Sequence, residues 1–316
     1  MIDVITIGDA MITFDPNVSG PLRFAETFTR RIGGAELNVA IGCSRLGLKT
    51  AWIGRLGDDE FGRYIYNFAR GEGIDVSEVK LVKGYPTSLN FKEIRADGSS
   101  KTSYYRYRSP TETLTVKSLN EKLFQKSRLL HISGVFPAIR RQNIEIIDRA
   151  IILAKQNDLK ISLDPNIRLK LWDAHTARNT LLSLMPSIDY LLTGIDEAEI
   201  LFGTKNVLDL IDIAKQYSIS NLFIKMGEKG AKHWSENQLI EQPPAKTSKV
   251  VDVVGAGDGF NAGAIYGLLN NWSPQETLKF ATTIGAMVVE VIGDNEGLPY
   301  LEEVMHRLRN NSIIER

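Results

Sequence analysis

Short apolar runs recur along this chain, each set beside a longer amphipathic stretch, and that rhythm limits the folds open to it. Residues 4–8, 49–55, 129–132, 161–163, 190–192 and 222–224 read as strands. Helical spacing of apolar residues runs through 33–46, 60–70, 143–156, 174–184, 207–217, 259–269 and 274–291. Alternation of this kind predicts an α/β fold, a doubly wound and mostly parallel sheet flanked by helices. A length of 316 residues gives ample core for one such domain over 1–316.

Two stretches break the rhythm. Residues 11–31 hold short extended pieces (Met11-Ile12-Thr13-Phe14, Leu22-Arg23-Phe24, Phe28-Thr29) and no long helix. Residues 87–95 and 103–108 alternate like strands around an Asp97-Gly98 turn signal, which predicts a hairpin. Together they predict a small β-sheet lid made of two discontinuous segments, approximately 11–31 and 86–109. Alternation puts Tyr104, Arg106 and Arg108 on one face, with Tyr105 and Tyr107 on the other. Such a face suits an anionic or polyhydroxy substrate, and equally a solvated edge strand.

Charge removes several function classes. Lys+Arg and Asp+Glu balance at 38 each, so no global field favours nucleic acid or a membrane surface. The single cysteine, Cys43, excludes an internal disulfide, and its apolar neighbours mark it as a packing residue. His131, His175, His233 and His306 are isolated and lack metal-ligand spacing. No basic region leads into a long apolar stretch after Met1, and the apolar run 281–292 is short and contains Glu290. A cytoplasmic protein is expected. Neither G-x-x-x-x-G-K-[ST] nor G-x-G-x-x-G after the first strand occurs, which argues against P-loop phosphotransferases and dinucleotide oxidoreductases.

The chemistry concentrates in residues 250–260, where a β-branched run leads into Gly255-Ala256-Gly257, then Asp258 and a helix. Glycines between a strand and a helix bring bare N–H groups to the positive end of the helix dipole, where an anion is stabilised. Asp258 is then either a base for a hydroxyl or simply a helix cap. Its place at a helix start predicts an ionised carboxylate at neutral pH. Gly33-Gly34 with Asn38 one turn on offers close backbone approach and an amide for a polyhydroxy ligand, or only a tight turn before a core helix.

Polar groups follow two strands, where open α/β sheets bind ligands. These are Asp164-Pro165-Asn166-Ile167-Arg168 and Lys225-Met226-Gly227-Glu228-Lys229-Gly230. The second suits nucleotide phosphates, or a βα or hairpin turn. Gly293 reads as the C-cap of the last long helix and Asp294 as a candidate ligand.

The pairing of Gly33-Gly34-Ala35…Asn38-Val39-Ala40…Arg45-Leu46-Gly47 with Asp252…Gly255-Ala256-Gly257-Asp258…Phe260 resembles the two signatures of the ribokinase-like (PfkB) sugar kinases. They stand in the right order, and the resemblance spans nearly the whole chain. It implies a ribokinase-like sheet with a β lid, and ATP-dependent phosphorylation of a sugar hydroxyl. Asp258 would be the general base, and the amides of Gly255, Ala256 and Gly257 the hole for the transferring phosphoryl. Lys225, Gly227 and Gly230 match the nucleotide loop, with Asn166 and Arg168 as further cofactor contacts. Thr282 lies on the helix that lines the adenine pocket in relatives. Glu197 matches the acid of an Asn-x-x-Glu motif linked to Mg²⁺ through water, although Gly194 stands where the asparagine would be.

Among the branches of that family the chain looks most like the 2-keto-3-deoxygluconate kinases, through Tyr104-Tyr105-Arg106, Asp164 to Arg168 with Leu171-Trp172, and Gly293-Asp294…Gly297-Leu298-Pro299. By this likeness Gly34, Asn38, Asn90, Tyr104, Arg106, Arg168, Asp258 and Asp294 would contact substrate, Asn90 standing where several relatives have tyrosine. Guanidinium groups grip a carboxylate bidentately, which a neutral hexose does not require. A fructose or ribose kinase is the alternative within the class, and a non-catalytic sugar-binding regulator the alternative outside it. The intact Gly-Ala-Gly-Asp run argues against the regulator. ATP and Mg²⁺ are the implied cofactors, with a monovalent cation a further candidate. A homodimer through the lid strands is expected.

Overall fold

Successive side chains along each strand of the main sheet point to opposite faces, and this sorts the apolar ones into cores on its two faces. The computed structural model describes residues 1–95 and 100–309. The strands are β1 (Ile2–Ile7), β2 (Met11–Pro16), β3 (Phe28–Gly33), β4 (Thr50–Gly57), β5 (Val79–Val82), β6 (Ser88–Ile94), β7 (Ser100–Tyr105), β8 (Ser127–Ser133), β9 (Lys160–Asp164), β10 (Tyr190–Gly194), β11 (Asn221–Lys225), β12 (Ala231–Ser235) and β13 (Gln238–Gln242). Nine of them form one sheet in the order β13-β12-β11-β10-β9-β8-β1-β4-β5. Its pairs are parallel except for β11–β12 and β12–β13.

The helices are α1 (Ala35–Arg45), α2 (Glu60–Gly71), α3 (Glu121–Phe124), α4 (Val135–Ile139), α5 (Arg141–Gln156), α6 (Ala174–Leu184), α7 (Ile195–Phe202), α8 (Val207–Gln216), α9 (Ala256–Leu269), α10 (Pro274–Val288) and α11 (Leu301–Leu308). Ile5 and Ile7 of β1 pack with Ile53, Leu130 and Ile132 against α5, α6, α7 and α8. Val4, Trp52 and Leu129 point the other way, against α1, α2, α9, α10 and α11. Both faces are covered, which is why the strands read as continuous apolar runs. Each fully buried large side chain is worth roughly 1.5–3 kcal/mol. Side chains close the helix starts: Asp59 accepts from Gly62 N at 2.8 Å, and Ser273 and Glu276 form a capping box on α10.

The second sheet has the order β3-β2-β6-β7 and is built from the two interrupting stretches. β2 pairs antiparallel with β3 and parallel with β6, and β6 pairs antiparallel with β7.

Several details depart from the sequence reading. Leu22–Phe24 is a 3-10 turn rather than an extended piece. β7 ends at Tyr105, so strand alternation stops before Arg106; Arg108 takes φ 50° and lays its guanidinium 5.5 Å over the Tyr85 ring. The valines of 250–254 form no strand, because they run outside both sheets. Val250 is 59% exposed and Val253 69%, and Val251 N donates to Val289 O at 2.7 Å. α10 stops at Val288 with Val289 as its C-cap, so Gly293 belongs to the following loop.

The β12–β13 hairpin extends the sheet after Lys225 and turns through Glu236 and Asn237, both at positive φ (50° and 60°). The Asp97-Gly98 turn lies outside the described residues. No helix of the described residues is long and apolar enough to cross a membrane.

Candidate active site

A cavity of about 470 Å³ lies between the carboxyl ends of the main-sheet strands and the second sheet. Its floor is the turn into α9. Gly255 is the N-cap with φ 79°, and a Cβ there would collide with the Asp294 carbonyl, so this position requires glycine. On the opposite wall Gly34 takes φ 148°, and a Cβ would stand 2.7 Å from the Asp9 carbonyl. Ala256 N donates to Val253 O at 3.4 Å, while the next amides of α9, at Gly257 and Asp258, have no preceding turn to bond to and border the cavity with the helix dipole behind them.

Asp258 is in the first turn of α9, but Gly255 rather than Asp258 occupies the cap. Its Oδ2 accepts from Asn38 Nδ2 at 2.8 Å, a bond that joins α1 to α9. Burial pushes its pKa up to about 7; the Asn38 bond works against this, as do Arg168 and Lys225, and the charge of Asp164 adds to it. The expectation of an ordinary ionised carboxylate is therefore corrected. Removal from water outweighs the helix dipole, whose effect at a helix end is about 0.3–1 kcal/mol.

Asp164, at the end of β9, meets the opposite environment. Lys225 Nζ stands 2.8 Å from its Oδ2, and Asn261 Nδ2 donates to the same oxygen at 2.6 Å. Burial opposes its charge, yet Lys225 and Asn261 hold its carboxyl below the usual range. Lys225 thus faces the cavity already paired.

The second sheet brings Asn90 and Tyr104 over the cavity, and Arg106 joins them directly after β7. Arg106 Nε is 3.4 Å from Asp9 Oδ2, and its guanidinium lies 4.9 Å from the Tyr104 ring centroid. Its Nη1, Asn38 Oδ1 and Asn90 Oδ1 are buried polar atoms with no partner among the described residues. Arg168 is exposed, lines the cavity and makes no ion pair among the described residues.

Gly34, Asn38, Asn90, Tyr104, Arg106, Asn166, Arg168, Glu197, Lys225, Gly255, Gly257, Asp258 and Asp294 all line this one cavity. Glu197 is committed: its two oxygens accept the N–H groups of Ile167 and Gly194, each at 2.9 Å, tying the exit of β9 to the start of α7. Ala256, Gly227, Gly230, Thr282 and Arg108 lie outside the lining. Thr282 donates to Leu278 O at 2.7 Å within α10, and Gly227 and Gly230 bound a tight turn after β11.

The sequence reading passed over four groups. Asp9 anchors Arg106 and accepts from Thr111 Oγ1 at 2.8 Å. Asn261 holds Asp164. Glu36 is buried beneath the site with its pKa pushed up to about 8 by burial, Oε1 accepting from Phe136 N at 3.1 Å and Oε2 unpartnered among the described residues. Lys92 lines the cavity, and the period-two pattern that puts it on the face of Asn90 was the signal for it. Among the described residues no group of three or more His, Cys, Asp or Glu could hold a metal ion. The arrangement can take a proton from a hydroxyl at Asp258 beside amides that stabilise an anion.

Comparison with known proteins identifies the family. The model of the pfkB family carbohydrate kinases matches residues 1–301. The 2-dehydro-3-deoxygluconokinase of Bacillus subtilis (strain 168) is 34% identical over 307 residues, covering 96% of this chain and 94% of its own. Fructokinase-1 of Zea mays is 33% identical over 316 residues, covering 96% of each chain. A crystal structure of a PfkB protein from Polaromonas sp. JS666 superposes with a TM-score of 0.88 at 33% identity, covering 96% of this chain and 99% of the other. Matched over nearly its whole length, and with relatives above 30% identity, this chain belongs to the pfkB carbohydrate kinase family.

Proposed function

We propose that this carbohydrate kinase transfers the γ-phosphoryl of ATP to a terminal hydroxyl of 2-keto-3-deoxygluconate or a similar keto-acid sugar. The observation that carries the reading is Arg168, a guanidinium with no ion-pair partner among the described residues, on the same cavity as Asp258 and Arg106. A carboxylate on the substrate supplies what those donors lack. The 2-dehydro-3-deoxygluconokinase relative supports the same choice.

In this reading Asn38 fixes Asp258 through Oδ2 and leaves Oδ1 to accept the proton of the sugar hydroxyl. The α9 amides and Gly257 receive the transferring phosphoryl, since catalysis of this transfer is mainly positioning and charge stabilisation. Lys225, 3.7 Å from where a Gly257 Cβ would sit, borders that position. Both oxygens of Glu197 already accept backbone N–H groups, so Mg²⁺ fits only as an ion carried by the phosphates, with Glu197 reached through water. When bound, it would neutralise phosphate charge.

Residues 1–316 would act as one kinase domain in the cytoplasm, the second sheet serving as lid. Pairing of two copies through that sheet is supported by its aromatic cluster, in which Phe14 stacks on Phe91 at 4.9 Å and Tyr105 is 61% exposed.

A fructokinase is the second reading, favoured by the maize relative and by Asn90, a neutral amide over the cavity. Coupled assays on 2-keto-3-deoxygluconate, its galacto epimer, fructose and ribose separate the two. The acidic sugars should show the higher kcat/KM, and Arg168→Gln should raise KM about 10-fold or more for them alone, the loss of a charge-assisted bond. An equal effect on fructose would remove the carboxylate from the reading.

A further inference from the structure

Lys92 sits in the middle of β6 with 9% of its side chain exposed, and its ammonium is surrounded by carboxylates from three separate segments. Asp294 Oδ1 stands at 3.2 Å, Asp15 Oδ1 at 3.6 Å and Asp252 Oδ2 at 3.8 Å. Asp15 belongs to the lid. The other two flank the glycine turn, one before α9 and one after α10. An ammonium has three donors, and here three carboxylates meet it, so Lys92 has little charge left for a ligand. Arg168, in contrast, is free among the described residues.

Both flanking aspartates shape the turn itself. Asp252 Oδ1 accepts from Val254 N at 3.1 Å and its Oδ2 from Gly293 N at 3.3 Å. The main chain of Asp294 packs directly against the Cα of Gly255. The root of the lid is tied down separately: Arg31 of β3 bridges Asp15 and Glu296, each at 3.0 Å, and Asn295 Nδ2 donates to Ile32 O at 2.7 Å. Lys92 is therefore not needed to attach the lid. Its distinctive contact is with the turn that carries the amides.

We infer that Lys92 is a positioning residue that couples lid docking to the geometry of the Asp252–Gly255 turn, so that the phosphoryl-binding amides are aligned only when the lid is seated. Burial by itself would pull its pKa down, and the three carboxylates outweigh that and hold the group charged. Without the ammonium, Asp15, Asp252 and Asp294 face one another across the lid junction and repel. The turn then loses its lid-side restraint, while Tyr104, Arg106 and Arg168 keep their places and Asp294 is still held through its main chain against Gly255.

The inference rests on the kinase reaction and not on which sugar is used. The test is Lys92→Met and Lys92→Ala, assayed on whichever sugar the wild type phosphorylates best. A shift of about 1 Å in catalytic groups can cost up to about 100-fold, so kcat should fall roughly 10- to 100-fold while KM for the sugar changes less than about threefold. Methylammonium added to Lys92→Ala should restore part of kcat, which a purely structural defect would not allow. Hydrogen exchange on the ligand-free protein should show faster amides in β2 and in 252–255 together.

Should Lys92→Met fold poorly, Asp252→Asn provides the same readout from the other side. Its loss of kcat should combine less than additively with that of Lys92→Met. A kcat within about twofold of wild type, a loss confined to KM for the sugar, or exchange that rises in the lid alone would overturn the coupling. The exchange measurement holds even where none of the four sugars is turned over, so it separates failure of this inference from failure of the substrate reading.

Discussion

Two corners of the same cavity each bury an aspartate, and the two carboxyls are pushed in opposite directions. Asp164 is held below the usual carboxylate range because Lys225 and Asn261 both reach its Oδ2. Asp258 receives one amide bond from Asn38 and has the charge of Asp164 nearby, so burial prevails and its pKa rises to about 7. Equal burial therefore gives unequal basicity, and partnership decides which carboxyl can exchange a proton near neutral pH. Asp164 is built to stay charged and hold Lys225. Asp258 is built to take up a proton and release it.

The largest test of this contrast is Asp258→Asn, which keeps shape and the Asn38 contact but removes the proposed base. Turnover should drop about 10²–10⁴-fold, with ATP affinity by calorimetry nearly unchanged. Turnover within a few-fold of wild type would move the base elsewhere. Asp164→Asn addresses the other corner, where Lys225 would lose its paired carboxylate and keep only the more distant charges of Glu197 and Asp258. A loss of about 3 kcal/mol in unfolding free energy is expected, and a loss below about 1 kcal/mol would mean that the pair does not organise that corner.

The third and smallest effect is in the pH profile. A base at Asp258, as proposed, works when ionised, so kcat/KM should fall as pH drops below about 7, the folded pKa of Asp258. In Asp164→Asn this acid limb should move to lower pH, because a neighbouring anion is gone and Lys225 loses its competing partner. Stability carries the same signature with a definite sign. The folded pKa lies above the ordinary value of 3.8, so the folded state binds the extra proton, and stability declines as pH rises from about 4 to about 7. Asp258→Asn should flatten that slope in thermal melts, and an unchanged slope would contradict the raised pKa.

Much of the fold could be read from local pattern, and its errors have local causes. The strands β1, β4, β8 and β9 are buried on both faces and announced themselves as apolar runs. The 250–254 valines carry the same β-branched signal but find no neighbouring strand, and they spend it on one backbone bond to Val289. Strand propensity describes a surface that must still be supplied by tertiary contacts. The β12–β13 hairpin was overlooked because Glu236-Asn237 lacks the Asn-Gly form of a two-residue turn.

In the site, glycine spacing found the turn and the residues around it. The raised pKa of Asp258 was beyond reach, because the helix dipole is a local property and burial sums over α1, β9 and the loop after α10. Lys92 was missed for a related reason. A lysine within an alternating strand looks solvated until the three aspartates that enclose it are known.

The bond from Asn38 to Asp258 spans 220 positions of chain, and the Gly255 turn closes against Asp294 later still. Contacts so distant in sequence form late, after most of the closure entropy has been met. During synthesis the lid strands and the first half of the sheet leave the ribosome well before the base and the turn exist. A nascent or truncated chain ending before Asp294 would thus display the proposed sugar-contacting surface beside an incomplete cavity. Completion of the C-terminal third, rather than folding of the second sheet, sets the moment at which the cavity is complete.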